Sequence, residues 1–359
     1  MQLVSSIKTV HVELTDKCQA QCPMCARNYH GGATRPFIRN GDMSIEQFKE
    51  WFPKEFLAQL DNFYSCGNYG DPAFASDCLE IYSYVRECNP TVRLALHTNG
   101  GMRNPTWWTK LAQAIGTQSN SEVVFAVDGF KGKHELYRKN TNFDKVIANM
   151  KAFISAGGRA RVDSLVFAHN EHEVDELEEY ILGLGAQTIN FVSTTRFYEM
   201  SEYEVHDNEG NVEYTIKPAK TERFKKTPNK TLVNLVDKEY RDSVISNTTI
   251  NPKCVDEQGI YVDPYGSIFP CCWIGGDYLE QPIEEKLPIH YLRNLSVEFS
   301  KQMIEDIRVE NCSTGILKDR STKLFKRLDT YWEDENKCLT CARQCSKLVY
   351  NSNRKYEFE

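Results

Sequence analysis

The sequence predicts an α/β fold: a partial (β/α)6 TIM-like barrel followed by a smaller, cysteine-bearing C-terminal domain. Three observations predict it. Six short apolar runs alternate with stretches of helical periodicity over the first 197 residues, which is the signature of parallel βα units joined by right-handed crossovers. The period breaks near Phe197, and charged and polar residues dominate up to Asn251. Beyond that point most of the remaining cysteines gather, from Cys254 to Cys345. The expected division is therefore residues 1–197 for the barrel, 198–251 for a connector with a hairpin, and 252–359 for the C-terminal domain.

The first run, Ile7 to Leu14, leads into Cys18-Gln19-Ala20-Gln21-Cys22-Pro23-Met24-Cys25. A polar passage, Asn28 to Gly41, follows. Ser44-Ile45-Glu46-Gln47 then reads as a capping box, and Ile45, Phe48, Trp51, Phe52 and Leu60 form an apolar helical stripe. The second strand, Asn62 to Ser65, runs into Cys66-Gly67-Asn68-Tyr69-Gly70-Asp71-Pro72, with a helix expected over 75–87. Val92 to His97 ends in Thr98-Asn99-Gly100, and a helix covers 105–115. Glu122 to Val127 ends in Asp128-Gly129. The helix over 143–155 stops at Gly157-Gly158. Val162 to Ala168 is the fifth strand, a helix begins near Asn170, and Thr188 to Ser193 is the sixth. In barrels of this kind the chemistry lies at the C-terminal strand ends, and each segment singled out above directly follows a strand. In the connector, Tyr203 to Ile216 with a turn at Asp207-Asn208-Glu209-Gly210 reads as a hairpin. Ile260 to Phe269 with Asp263-Pro264-Tyr265-Gly266 is a second.

The composition bounds the function. The chain has 359 residues with 41% hydrophobic content, enough for a large packed core and a smaller unit. A net charge of −7 argues against a nucleic-acid backbone as partner. The N-terminus lacks the pattern of a signal peptide, and no apolar stretch is long enough to span a bilayer. Thirteen cysteines, an odd number, fit reduced thiols in the cytoplasm better than a disulfide framework.

Three thiolates at C-x3-C-x2-C spacing can grip three corners of a [4Fe–4S] cube and leave the fourth iron open. A zinc site, usually four ligands in C-x2-C pairs, is the competing reading. On its spacing and its place after the first strand, the Cys18/Cys22/Cys25 loop resembles the signature of the radical S-adenosylmethionine (SAM) superfamily. That resemblance implies a SAM-binding [4Fe–4S] cluster on these three cysteines. Gly70-Asp71-Pro72 stands where the family carries the end of a Gly-Gly-Glu-Pro segment, with Tyr69 in place of the first Gly. Thr98-Asn99-Gly100 and Asp128-Gly129 resemble two further family segments, although Ala126 replaces a usual Ser. The implied cofactor contacts are Met24, Gly70, Asp71, Pro72, Asn99, Asp128, Asn170 and Arg196. All but Met24 have a plainer reading: Gly, Pro, Asn and Asp make turns, Asn170 caps a helix, and Arg196 is a solvated loop residue. Cys66 is a candidate catalytic hydrogen-atom donor or a buried thiol.

The C-terminal cysteines resemble the SPASM/twitch extension of the same superfamily. Cys254 and Cys271 match its opening, and Cys338-x2-Cys341-x3-Cys345 its closing part. The implied ligands of at least one auxiliary [4Fe–4S] cluster are Cys254, Cys271, Cys338 and Cys341, with Cys345, Cys272 and Cys312 in reserve. A zinc knuckle is the alternative. The resemblance further implies reductive cleavage of SAM to a 5′-deoxyadenosyl radical, hydrogen abstraction from a substrate, and a flavodoxin- or ferredoxin-type electron donor. A peptide or protein side chain is the expected substrate, with oxidation or epimerisation of a small metabolite as the alternative. Only 17 residues precede Cys18, short for the peptide-recognition domain of many peptide maturases. A non-catalytic metal-binding interaction protein is the reading of another class.

Overall fold

The structure, a computed structural model, describes residues 7–116, 119–194, 196–197, 200–225, 234–279, 332 and 337–346. Its centre is one sheet whose strands run β1 (Thr9–Val12), β2 (Asn62–Ser65), β3 (Arg93–Thr98), β4 (Glu122–Ala126), β5 (Ala160–Val166) and β6 (Thr188–Ser193). Each is hydrogen-bonded in parallel to the next, so sequence order and spatial order coincide. This is the predicted α/β alternation. β6 does not return to β1, which leaves the barrel partial.

Helix positions follow local chemistry. α1 (Ile45–Trp51) opens on the expected capping box: Ser44 accepts from the Gln47 N–H, and Gln47 reaches back to the Ser44 N–H. The single helix suggested by the stripe to Leu60 is in fact two, because Pro53 cannot continue a helix and pushes Phe52 out of the helical region. α2 (Lys54–Leu57) takes up the rest of the stripe. α3 (Cys78–Cys88) starts later than the pattern suggests, after a 3₁₀ turn at Pro72–Phe74. α4 (Pro105–Ile115) has Asn104 as N-cap and Pro at its first position. A short α5 (His134–Tyr137) precedes α6 (Phe143–Ser155). α7 is Val174–Gly183 rather than a helix from Asn170. These helices cover the outer face of the sheet, where Phe48, Phe52, Phe63, Tyr82, Trp108, Phe125 and Phe153 form the fully buried aromatic core.

On β5 the buried residues Ala160, Val162, Ser164 and Val166 alternate with Arg161, Asp163 and Leu165, so the second set faces the barrel interior. That interior is polar. His11 stacks on Tyr64 at 4.5 Å and meets Tyr261 edge-on at 4.9 Å. Arg93 pairs with Glu122 at 2.8 Å, and Asn190 donates to Asp163 at 3.1 Å.

Both expected hairpins form. β7 (Tyr203–His206) and β8 (Val212–Ile216) make a separate two-stranded ribbon whose turn Asp207 caps. β9 (Gly259–Val262) and β10 (Ile268–Phe269) make the other, with Gly266 at φ 81° closing the turn. β9 then pairs in parallel with β1, so this hairpin extends the barrel sheet at its free edge. Around it lie α8 (Lys238–Ser246), α9 (Lys253–Asp256), α10 (Cys272–Leu279) and α11 (Leu339–Gln344). Cys312 lies outside the described residues. Among the described residues, no helix is long and apolar enough to cross a membrane.

Candidate active site

The loop after β1 carries Cys18, Cys22 and Cys25 as free thiols at the carboxyl end of the sheet. The neighbouring strand ends supply its partners. From the β3 end, Asn99 Nδ2 donates to Cys18 Sγ at 3.6 Å while Gln19 Nε2 donates to Asn99 Oδ1 at 2.6 Å. From the segment after β4, Arg138 Nη1 lies 3.9 Å from Cys22 Sγ. Burial pushes the Cys22 thiol up to about 11, and the Arg138 guanidinium opposes that shift. Among the described residues, no three His, Cys, Asp or Glu side chains are arranged around a single ion. A cube carries its irons on separate corners and does not require that convergence. Three thiols on one loop, with N–H groups aimed at two of the sulfurs, fit a cluster held by three cysteines.

The β2 loop is braced from both sides. Asp71 is 4% exposed and accepts from Thr98 Oγ1 (2.8 Å), Asn99 N (2.7 Å) and Ala73 N (2.9 Å), which locks the β2 and β3 loops together. Burial raises its carboxyl, and those donors oppose the shift. Gly70 is required by space: a Cβ there would lie 1.8 Å from the Thr15 carbonyl oxygen. Pro72 opens the 3₁₀ turn that follows.

Asp128 is fully buried. It accepts from Leu165 N at 2.7 Å and forms an ion pair with Arg138 Nε at 2.6 Å. Asn170 places its Oδ1 on Phe167 N at 2.7 Å and its Nδ2 on the Asp128 and Leu165 carbonyls at 3.1 and 2.9 Å. Its side chain therefore ties the β5 end to the β4 loop and does not cap α7. Met24 packs with Tyr137, Phe167, Phe197 and Val205, and its carbonyl accepts from Arg196 Nη1 at 2.7 Å. Arg196 in this arrangement clamps the cysteine loop.

Cys66 follows β2. His11 Nε2 donates to its carbonyl oxygen at 2.5 Å, and burial pushes its thiol up to about 12. Beside it, the buried Glu13 accepts from Tyr69 N (2.7 Å), Gly70 N (2.9 Å) and Tyr261 OH. Burial raises the Glu13 carboxyl to about 7, partly offset by those three donors.

Sequence reasoning missed Arg138, Gln19 and Glu13. Arg138 stands in no motif and lies ten residues past the Asp it pairs with. Glu13 had one signal, a carboxylate set between Val12 and Leu14 directly after β1.

The C-terminal cysteines separate into two directions. Cys254, Cys271, Cys338, Cys341 and Cys345 form one electrostatically interacting group, in which Cys338 and Cys341 share a hydrogen bond. α11 begins at this group, with Cys338 as its N-cap. Cys272 interacts with its neighbour Cys271 and, in the other direction, with Cys66 and Glu13. The adjacent pair Cys271-Cys272 thus links the C-terminal group to the barrel mouth.

Residues 12–181 match the family model described as the radical SAM superfamily. No curated protein matches the chain. Among solved structures, anSMEcpe with bound AdoMet and the Kp18Cys peptide is 15% identical, with 97% of this chain and 91% of that chain covered and a TM-score of 0.53. This likeness supports the fold. SuiB of Streptococcus suis bound to S-adenosylmethionine is 12% identical over 79% of this chain and 63% of its own, at a TM-score of 0.47. The chain thus spans under two thirds of SuiB. BtrN in complex with AdoMet and 2-DOIA is 12% identical, covering 94% and 92%, at a TM-score of 0.39. With its cysteine loop seated at the mouth of a partial barrel and residues 12–181 matching from the end of β1 through α7, the chain carries a radical SAM superfamily domain, an enzyme domain that implies a [4Fe–4S] cluster and SAM.

Proposed function

We propose that this enzyme cleaves SAM reductively at the Cys18–Cys25 loop and removes a hydrogen atom from a peptide or protein side chain. When bound, the cluster and SAM supply a one-electron cleavage to methionine and a 5′-deoxyadenosyl radical. The observation that carries this reading is the convergence of Asn99, at the β3 end, and Arg138, at the end of α5, on the sulfurs of Cys18 and Cys22.

Cys18, Cys22 and Cys25 would hold three irons. Asn99 and Arg138 would donate to the thiolate sulfurs and offset their negative charge. The backbone at Gly70, Asp71 and Pro72 would meet the SAM amino group, positioned by Glu13 on one side and Asp71 on the other. Asp128 and Asn170 would present the β4 and β5 ends to the nucleoside, with Met24 and Arg196 supporting the cysteine loop. The polar barrel interior would hold the substrate and exclude bulk water. Cys66 is the candidate donor of a hydrogen atom to a substrate radical. Its thiyl would be returned to the thiol by an electron and a proton, the electron from a flavodoxin- or ferredoxin-type protein. Such a thiol beside the mouth favours epimerisation as the second reading, on a peptide residue or a small metabolite.

Cys254, Cys271, Cys338 and Cys341 would hold an auxiliary [4Fe–4S] cluster, with Cys345 a fifth thiol at the same place. The shared fold with anSMEcpe, whose structure contains a peptide, makes peptides the first substrates to test. Protein reconstituted anaerobically with iron and sulfide, then given SAM and dithionite, should release 5′-deoxyadenosine. Cys22→Ala should abolish it, and continued release from that variant would overturn the assignment.

A further inference from the structure

Tyr69 stands where the superfamily pattern has glycine, and its structural surroundings give that departure a purpose. The ring is 3% exposed and meets Phe37 edge-on at 5.3 Å. Its hydroxyl donates to the Gly276 carbonyl at 3.0 Å, inside α10, the helix that starts at Cys272. The preceding residue makes a parallel link, because Asn68 Nδ2 donates to the Cys272 carbonyl at 2.8 Å. A third link runs beneath them. Glu13 accepts from the Tyr69 and Gly70 N–H groups with one oxygen and from the Tyr261 hydroxyl of β9 with the other.

Gly275 lets α10 lie against β9, since a Cβ there would lie 2.5 Å from the Tyr261 ring. The helix itself is tied to the cysteine that precedes it, since Gly275 N donates to the Cys271 carbonyl at 3.1 Å. On its other flank the β2 loop is held by the cysteine-loop backbone, with Asp71 N donating to Lys17 O at 2.9 Å and Gly70 packed on Thr15. The loop Gly67 to Pro72 is thus wedged between the two cysteine-bearing segments.

We propose that Tyr69 and Asn68 are positioning residues that couple the SAM-binding loop to the auxiliary cysteine group, so that filling the auxiliary site strengthens SAM binding and SAM binding protects the auxiliary site. The inference rests on the reading of Gly67 to Pro72 as the SAM loop. The coupling is reciprocal by linkage. Ordering of residues 271–276 by a metal on Cys271 fixes the two carbonyls that Tyr69 and Asn68 reach. Those contacts in turn fix the backbone that would face the SAM amino group.

The test is SAM affinity, read from the SAM-dependent change in the EPR spectrum of the reduced loop cluster, in wild type, Tyr69→Phe, Cys271→Ala and the double variant. Tyr69→Phe keeps the ring and deletes only the hydroxyl. It should weaken SAM about two- to tenfold, the range set by one net hydrogen bond. Cys271→Ala should also weaken SAM, and the double variant should be no weaker than Cys271→Ala alone, because the two act through one contact. Asn68→Ala gives an independent second arm with the same expected pattern. In wild type, saturating SAM should slow loss of auxiliary iron to a chelator, and Tyr69→Phe should remove that protection. Tyr69→Phe with a lower Tm but wild-type SAM affinity would mean a structural role only and would overturn the proposal, as would fully additive effects. Absence of any SAM response in wild type would instead remove the SAM-loop reading on which the proposal stands.

Discussion

Arg138 and Asp128 form the most exacting electrostatic feature of the site. The carboxylate is completely buried, and the guanidinium side chain is 19% exposed. Replacing Arg138 with Met keeps the length and removes the charge. Among the described residues, the Asp128 carboxylate would then keep the Leu165 N–H at 2.7 Å as its donor. Removing one member of a buried pair typically costs about 3–5 kcal/mol, because the remaining charge is left uncompensated. Urea unfolding of the metal-free protein at pH 7, followed by tryptophan fluorescence, should show a loss of this size for Arg138→Met. Adding Asp128→Asn should recover about 2 kcal/mol or more, since the uncompensated charge is gone. A loss under about 1 kcal/mol, or simple addition of the two single effects, would refute the reasoning. In the reconstituted protein, the same variant removes a cation 3.9 Å from Cys22 Sγ, so the reduction potential of the loop cluster should move to more negative values.

Two titrations follow from burial and have opposite signs. Burial raises Glu13 from 4.5 to about 7 in the folded state. Its contribution is fully present below pH 4.5 and is lost as pH rises to 7, a change of about 3 kcal/mol at 1.36 kcal/mol per unit. Glu13→Gln should therefore gain on wild type by up to that amount over this interval in urea titrations, and a constant difference would contradict the shift. Burial lowers His11 from 6.5 to about 4, so its neutral form stabilises the fold above pH 6.5 and the benefit fades as pH falls toward 4. His11→Gln, which can still donate to Cys66 O, should flatten the wild-type loss between pH 6.5 and 4. A variant as acid-sensitive as wild type would show that His11 is already charged in the folded protein.

Features written in local sequence were legible, and features set by distant partners were not. The Ser44 capping box, the turns at Asp207 and Gly266, and the sixth strand at Thr188–Ser193 are short-range, so pattern and structure agree there. The apolar stripe from Ile45 to Leu60 runs past Pro53, whose fixed φ breaks the helix. The pairing of β9 with β1 joins residues some 250 positions apart, and no local periodicity encodes such a register. The cysteine loop could be read because its chemistry requires three thiols at close spacing. Arg138 could not be read, since its role comes only from where α5 ends relative to the loop. Asn170 shows the same limit: its cap-like context suggested a helix start, whereas its amide spans two strand ends. Tyr69 looked like a defect in a motif until the carbonyl it reaches, over two hundred residues away, was in view.

The most direct measurement is EPR of the dithionite-reduced, reconstituted protein with and without SAM. A cluster on Cys18, Cys22 and Cys25 with one open iron should give a [4Fe–4S]⁺ signal whose g-values shift when SAM is added, and Cys18→Ala should lose both the signal and the shift. A spectrum indifferent to SAM, or a SAM-dependent shift that survives Cys18→Ala, would contradict the account.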